Sequence, residues 1–368
     1  MRVLVATGIY PPETGGPATY SRILETELPQ RGIEVIVLPF RRVRRFPKII
    51  RHIAYFFLVV REGRHADIIY AQDPLSVGLP SALAAFFLQK KFLLKVVGDY
   101  AWEQATQRFG FSDSLESFQY AELSLLPRTL RFLERWVANR ALKVVVPSKY
   151  LGKILAAWGV PKNKTSIIYN GIEDFQETGN KMVLRGLLKF HGKLVVSVGR
   201  LVPWKGFATL IQMFPRFKEL FPGSKLLIIG GGPDLNSLET TAALAGVADD
   251  VIFTGPLERD ILIRYLRASD VFVLNTAYEG FSHLILEAMM IGVPIVTTNV
   301  GGNVEAIEHG KNGYLVKVND TEKIIAHTSA LLTDAALRAR IVLAAKRRVK
   351  QFSNLVMVEK ISTLLKHL

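Results

Sequence analysis

Glu279 and Glu287 stand eight positions apart in Glu279-Gly-Phe-Ser-His-Leu-Ile-Leu-Glu287, on either side of a Gly-Phe-Ser turn. If a helix begins near Ser282, its first backbone N–H groups lack partners within the helix and its dipole places positive potential at that end. That combination suits a diphosphate, with Ser282 and His283 supplying amides. Glu287 would lie about one and a half turns inside, where a carboxylate can accept bonds from both vicinal hydroxyls of a ribose. Glu279, just before the helix, could hold hydroxyls of a sugar. The arrangement points to a nucleotide-sugar site, although Leu284–Met290 also has the pattern of an ordinary amphipathic helix.

Transfer of a sugar from a nucleoside diphosphate builds negative charge on the departing diphosphate, so the site needs cations. Arg200 and Lys205 are the candidates, in Gly199-Arg-Leu-Val-Pro-Trp-Lys-Gly206 after the buried run Leu194–Val198. A guanidinium can grip phosphate oxygens in pairs, an ammonium adds a mobile point charge, and helix amides add oriented dipoles. Solvated loop charge is the competing reading. Gly230-Gly-Gly-Pro233 lacks the complete Gly-x-Gly-x-x-Gly pattern and the acidic residue of a dinucleotide fingerprint. Gly230 reads instead as letting the chain pass close to a nucleotide, while Gly255 and Leu257, in Phe253-Thr-Gly-Pro-Leu257, should border the base. No Asp-x-Asp occurs and no His cluster has ligand spacing, so no metal or other cofactor is expected beyond the donor itself.

In order and spacing these segments resemble the retaining glycosyltransferases of family 4, the glycosyl transferases group 1, which have the GT-B fold. The resemblance runs through essentially the whole chain. It includes Gly15-Gly16, Val146-Pro-Ser148, Tyr169-Asn-Gly-Ile172, Gly199-Arg-Leu201 with Lys205-Gly206 and Gly230-Gly-Gly-Pro233. It continues in Phe253-Thr-Gly255, Ala268-Ser-Asp270, the Glu279 and Glu287 pair, and Gly301-Gly302. It implies that Phe281, Ser282 and His283 line the donor and that the Gly16 backbone approaches the donor diphosphate or sugar. From the residues alone, Gly16 could equally serve a tight strand-to-helix turn with no ligand.

One departure bears on the chemistry. Many family members carry a His at the end of the fourth strand, facing the donor sugar, whereas no His lies between His65 and His191 here. In Leu94-Lys-Val-Val-Gly-Asp-Tyr-Ala-Trp-Glu103, Asp99 is the candidate for that place, binding a sugar hydroxyl or the acceptor, with Tyr100 and Trp102 as stacking faces. Asp99 could instead cap the following helix. Retention of configuration is implied by the resemblance alone. A front-face route needs no protein nucleophile, unlike the two-carboxylate route of retaining hydrolases. The expected activity is transfer of a sugar from a UDP- or GDP-linked donor to a glycan or lipid-linked acceptor in surface polysaccharide or glycolipid synthesis. A nucleotide-sugar epimerase and a non-catalytic GT-B scaffold are the alternatives.

Two tandem α/β units must position these residues. Apolar runs at Val3–Ala6, Glu34–Pro39, Ile68–Tyr70, Phe92–Val97, Lys143–Val146 and Ser166–Tyr169 alternate with helical stretches. A second series follows at Leu194–Val198, Lys225–Ile229, Val251–Thr254, Val271–Leu274, Pro294–Thr298 and Tyr314–Val316. Such alternation predicts parallel sheets covered by helices, Rossmann-like in both units, with the site in a cleft between them outside the strand carboxyl ends. The expected domains are residues 1–175 with 354–368, on the acceptor side, and 190–353, which binds the donor. Residues 176–189 should link them, and the last helix should return to the first domain.

At 368 residues, with 49% hydrophobic composition, the chain can build two cores of this kind. It contains no Cys, which excludes disulfides and thiolate chemistry and fits a reducing compartment. Its first residues lack an apolar stretch of signal-peptide form, and no apolar run approaches the roughly 18 residues of a membrane span. A cytoplasmic location is expected, with peripheral contact at the inner face of the cell membrane. That contact follows from charge, because residues 1–190 hold 27 Lys and Arg against 16 Asp and Glu. Arg41, Arg42, Arg44, Arg45 and Lys48 run into the apolar stretch Ile49–Val60, as expected of a surface resting on anionic lipid, though a buried helix beside a solvated loop would read the same. The chain has no zinc-finger spacing, RNP-type strand or basic helix repeat, and nucleic acid is not an expected partner.

Overall fold

The computed structural model describes residues 1–13, 15–173, 181–187 and 191–368. The chain divides into two compact units, Met1–Gly171 with Ser353–Leu368, and Ile172–Phe352.

In the first unit, β1 (Arg2–Thr7), β2 (Glu34–Pro39), β3 (Ile68–Ala71), β4 (Lys91–Lys95), β5 (Lys143–Val146) and β6 (Thr165–Ile167) form one parallel sheet in the order β2-β1-β3-β4-β5-β6. Val3 is in register with both Val35 and Ile68. Val3 to Ala6 are wholly buried because helices cover both faces of the sheet. The connecting helices are α1 (Gly16–Glu27), α2 (Lys48–Gly63), α3 (Gly78–Leu88), α4 (Tyr100–Phe109), α5 (Leu115–Phe118), α6 (Leu125–Arg140) and α7 (Lys149–Ala157). Right-handed crossovers put α1 on one face of the sheet and α2, α3 and α6 on the other. Accordingly, α3 packs against both α2 and α6.

The second unit contains β7 (Leu194–Val198), β8 (Lys225–Ile229), β9 (Val251–Phe253), β10 (Val271–Leu274), β11 (Ile295–Thr298) and β12 (Tyr314–Val316), all parallel, in the order β12-β11-β10-β7-β8-β9. Read from β9, this is the 3-2-1-4-5-6 order of doubly wound sheets. The strand order reverses between β7 and β10, where such folds leave a crevice outside the carboxyl ends. Its helices are α8 (Lys181–Leu187), α9 (Phe207–Leu220), α10 (Leu235–Leu244), α11 (Arg259–Ala268), α12 (His283–Ile291), α13 (Asn303–Ala306), α14 (Thr321–Thr333) and α15 (Ala335–Val349). The last helix, α16 (Asn354–Lys366), belongs to the first unit. There Met357, Val358, Ile361 and Leu365 bury against Val3, Val5 and Leu24.

All twelve expected strands form, with ends differing by no more than two residues. In β4 the expected end at Val97 is too late, because the last ladder bond is from the Val96 amide to the Val145 carbonyl at 2.9 Å, after which the chain approaches the α4 cap. Of the expected linker, residues 176–180 and 188–189 lie outside the described residues, whereas 181–187 are helical. Helix α8 is fixed to the second unit through Asp270. Lys181 Nζ donates to Asp270 Oδ1 at 2.9 Å, and Arg185 and the Leu194 amide donate to Oδ2 at 3.1 and 2.8 Å. Among the described residues no helix is long and apolar enough to cross a membrane.

Burial works to raise the Asp270 pKa, but Lys181, the Leu194 amide and Arg185 together hold it below the ordinary aspartate value. A depressed carboxyl pKa contributes stability above the unfolded value of about 3.9, which is lost as pH falls through the folded value. Asp270→Asn should therefore lower unfolding stability by about 1–3 kcal/mol at pH 7. In denaturant titrations the difference from the parent protein should shrink at acid pH, and a pH-independent difference would contradict the assignment.

Candidate functional site

The crevice at the β7/β10 switch point is built from backbones that touch. After β7, Gly199 leads to Arg200, and Gly206 starts α9 with φ +60. A Cβ on Gly206 would lie 2.1 Å from the Asn275 carbonyl, so the loop after β7 lies directly on the loop after β10. The contact is fastened by the Asn275 side-chain amide donating to the Gly206 carbonyl at 3.2 Å and the Ala277 amide donating to the Trp204 carbonyl at 2.7 Å. On the other side, a Cβ on Gly230 would lie 2.0 Å from the Gly199 carbonyl. Gly230 thus serves loop-to-loop packing with Gly199. Gly255 takes φ +69 after β9, and Leu257 beside it is half-buried.

These tethers bring Lys205 to Glu279. Its Nζ donates to Glu279 Oε2 at 2.5 Å, with both side chains mostly shielded from solvent. Glu279 is fixed in turn from behind. Gly301 adopts φ +53, a Cβ there would fall 2.0 Å from the Glu279 carbonyl, and the Gly302 amide donates to that carbonyl at 2.8 Å. Arg200 lies exposed on the loop that carries Lys205.

Helix α12 starts where the sequence places it. Ser282 is its N-cap, and its hydroxyl accepts from the Ile285 amide at 3.4 Å, so the positive end of the helix dipole lies immediately after Glu279. His283 is half-buried in the first turn. Phe281 departs from the expectation of a donor-facing side chain, since its ring is buried and packs 5.3 Å from that of Phe352. Glu287 is buried on α12, and Arg259 at the start of α11 reaches its Oε1 at 3.5 Å. Burial raises the Glu287 pKa against the opposing pull of Arg259. Arg259 was not singled out from the sequence. The available signal was its position two residues after Leu257, at the first turn of a helix.

In the first unit, Gly16 opens α1 after β1, preceded by Gly15 at φ 145, and Thr14 is outside the described residues. Asp99 does not fit the sugar-binding role. It is wholly buried and caps α4, with Oδ1 accepting from the Trp102 amide at 2.8 Å and Oδ2 from Gln119 Nε2 at 2.9 Å. Buried Glu134 lies next to it, accepting from the Tyr100 and Ala101 amides at 2.9 and 3.1 Å. Desolvation raises both carboxyl pKa values, and Glu134 is raised further by the charge on Asp99. Trp102 is also buried and donates its indole N–H to the Asp113 carbonyl at 3.2 Å, so it offers no stacking face. Tyr100 is exposed. A carboxylate missed from the sequence, Asp73, follows β3 at the first unit's own switch point. It accepts from the Ser76 and Val77 amides, and burial pushes its pKa up to about 6. Among the described residues no three His, Asp or Glu side chains cluster as a metal site would require.

The sequence matches the family profile described as glycosyltransferase family 4 over residues 9–174, and that described as glycosyl transferases group 1 over residues 187–348. It is 31% identical over 230 residues to an uncharacterised glycosyltransferase of Methanocaldococcus jannaschii, covering 60% of this chain and 59% of that protein. It is 36% identical over 147 residues to a GDP-mannose-dependent α-(1-6)-phosphatidylinositol monomannoside mannosyltransferase of Mycobacterium tuberculosis, covering 38% of each. The chain thus spans less than two thirds of either relative. Among solved structures, Anabaena HepE in complex with UDP and glucose superposes with a TM-score of 0.81 at 22% identity, covering all of both chains, which shows a shared fold.

The cap assignment is open to direct measurement. Asp99→Ala removes the acceptor for the α4 amide and the Gln119 bond together, and should cost about 1–3 kcal/mol in denaturant unfolding. Unchanged stability would mean that Asp99 does not hold the helix start.

Proposed function

This chain belongs to glycosyltransferase family 4, and from that membership we propose that it moves a sugar from a nucleoside-diphosphate donor to a glycan or lipid-linked acceptor with retention of configuration. The observation that carries the reading is Lys205 held on Glu279 beside the α12 N-terminus, at the switch point of the second unit. In this reading Arg200, Lys205 and the first amides of α12 neutralise the diphosphate as its bond to the anomeric carbon breaks. Because Lys205 is already oriented, little reorganisation is needed as charge develops. Glu279 accepts from hydroxyls of the transferred sugar, and Glu287 accepts from the ribose. The acceptor oxygen attacks from the face that the diphosphate leaves, and its proton passes to the departing oxygen.

The first unit is read as the acceptor side, with the Gly16 backbone approaching the donor and Tyr100 available to an acceptor. Asp99 and Trp102 have no part in this reading, being buried. The base is left between uracil and guanine: the mycobacterial relative is named for GDP-mannose, and the Anabaena structure holds UDP. A role in surface polysaccharide or glycolipid synthesis is supported by the relative named for a phosphatidylinositol mannoside.

Purified protein incubated with a panel of UDP-, GDP- and ADP-sugars should slowly release one nucleotide selectively. Arg200→Ala should reduce that release by about 10²–10³-fold, by analogy with the loss of one oriented donor elsewhere, and Glu279→Gln, which loses the carboxylate that accepts from the sugar, should also reduce it. Binding without turnover would point to an obligatory acceptor, and neither binding nor turnover across the panel would favour a non-catalytic scaffold.

Glu287 gives a second expectation. Its raised pKa means that the carboxylate protonates at a pH above the ordinary value of about 4.3. Nucleotide affinity should therefore fall as pH drops through that raised value, and titration calorimetry should find this pH dependence absent in Glu287→Gln. An identical pH profile in the variant would remove Glu287 from the ribose.

A further inference from the structure

Helices that cover a sheet ordinarily turn apolar residues inward and polar residues outward. In the first unit, α2 buries Tyr55, Val59 and Val60 but also carries an outward stripe of Ile49, Ile53 and Phe57, which are 77%, 53% and 63% exposed. Neighbouring α3 repeats the pattern with Leu83, Phe86 and Phe87, and Phe86 is 78% exposed. Since α2 packs on α3 and α3 on α6, these side chains share one face of the unit. A contiguous exposed apolar surface of this kind marks an interaction site.

The charges on this face are one-sided. Of the Lys and Arg on α2, α3 and α6, Arg131 and Arg135 turn inward onto the Phe118, Ala121 and Gln119 carbonyls, with Lys48, Arg61, Arg128 and Arg140 exposed against two acids, Glu62 and Glu134. Glu62 is paired with Arg61 at 2.7 Å and Glu134 is buried. At the C-terminal ends of α3 and α6 lies an open groove of about 970 Å³ lined by Phe86, Phe87 and Trp136, with Lys90, Arg140 and Lys164 among its walls and no acidic residue. The Arg140 guanidinium lies 4.8 Å from the Trp136 ring centroid. A second copy of this chain would be a poor occupant, because two copies each of formal charge +15 repel. An anionic bilayer complements all of these features, with aromatic rings at headgroup depth and cations on the phosphates.

We propose that the outward face of α2, α3 and α6 seats on an anionic phospholipid bilayer, and that the α3–α6 groove takes a lipid headgroup and the start of its acyl chain. This keeps the apolar stretch Ile49–Val60 expected from the sequence, extends the contact to α3 and α6, and takes Arg41 and Arg44 out of it. Both are engaged elsewhere: Arg41 donates to the Pro11 carbonyl at 2.7 Å, and Arg44 pairs with Glu13. The groove lies at the amino-terminal edge of β4 and β5, the end of the sheet opposite the Gly16 turn. It therefore serves attachment, and it rests on no step of the transfer chemistry.

The test is sedimentation of the full chain with phosphatidylcholine vesicles, with and without phosphatidylglycerol. Wild type is compared with Phe86→Asp/Phe87→Asp, with Lys90→Glu/Arg140→Glu, and with Lys317→Glu/Lys323→Glu, an equal charge reversal on exposed second-unit lysines. Wild type should bind only the anionic vesicles. Each face variant should bind about tenfold more weakly or worse, while the second-unit variant keeps most of its binding. Thermal unfolding and donor hydrolysis in solution check that the variants fold. No binding by wild type would overturn the proposal, as would equal losses in the face and second-unit charge variants. So would a dimer in analytical ultracentrifugation that Phe86→Asp/Phe87→Asp dissociates without any vesicle binding. Lost vesicle binding with intact donor hydrolysis would leave the proposed transfer reaction standing, and the reverse pattern would leave the membrane seat standing.

Discussion

At several places among the described residues of the second unit the backbones approach too closely for any side chain to fit between them, and three of those contacts position the charged groups of the candidate site. Gly206 lies on the Asn275 carbonyl, Gly230 on the Gly199 carbonyl and Gly301 on the Glu279 carbonyl, each leaving about a bond length and a half where a Cβ would go. All three also hold positive φ, which an L side chain disfavours. The loops after β7, β8, β10 and β11 are thus locked to one another at the switch point. A Lys and a Glu 74 residues apart then meet at hydrogen-bond distance.

Because the loops are fixed, the electrostatics can be preorganised. The Ser282 cap holds the start of α12, the Gly301-Gly302 turn holds Glu279, Arg259 meets Glu287, and Glu279 in turn holds the Lys205 ammonium. The first unit uses its charged groups differently. Asp99 and Glu134 are buried together under the start of α4, where desolvation raises both pKa values and the charge on Asp99 favours protonation of Glu134. Lys95 is buried over the Tyr20 ring with Asn170 as its hydrogen-bond acceptor, and desolvation lowers its pKa well below the ordinary lysine value. These groups hold helices and sheet together in an interior that disfavours charge, while the exposed cations lie on the helical surface.

Much of this architecture was legible in the sequence because strands of a covered parallel sheet are buried on both faces and read as unbroken apolar runs such as Leu194–Val198. The start of α12 was legible for a different reason, since Ser282 before an apolar run is a local capping signal. What the sequence could not convey was depth. Asp99, Trp102 and Phe281 have side chains that suit a ligand as well as a core, and only packing against Gln119, Asp113 and Phe352 decides between them. The pairing of Glu287 with Arg259, like that of Lys205 with Glu279, depends on loop contacts between distant segments that no local pattern records. The apolar stretch Ile49–Val60 on α2 was visible but undecided, because a helix with two apolar faces has the composition of a buried one.

The most direct test of the central claim is a crystal structure of the full chain with the nucleoside diphosphate that stabilises it most. The account predicts the diphosphate on the first amides of α12, within reach of Arg200 and Lys205, and the ribose hydroxyls on Glu287. A nucleotide bound elsewhere, with Glu287 still on Arg259 and no phosphate at α12, would contradict it.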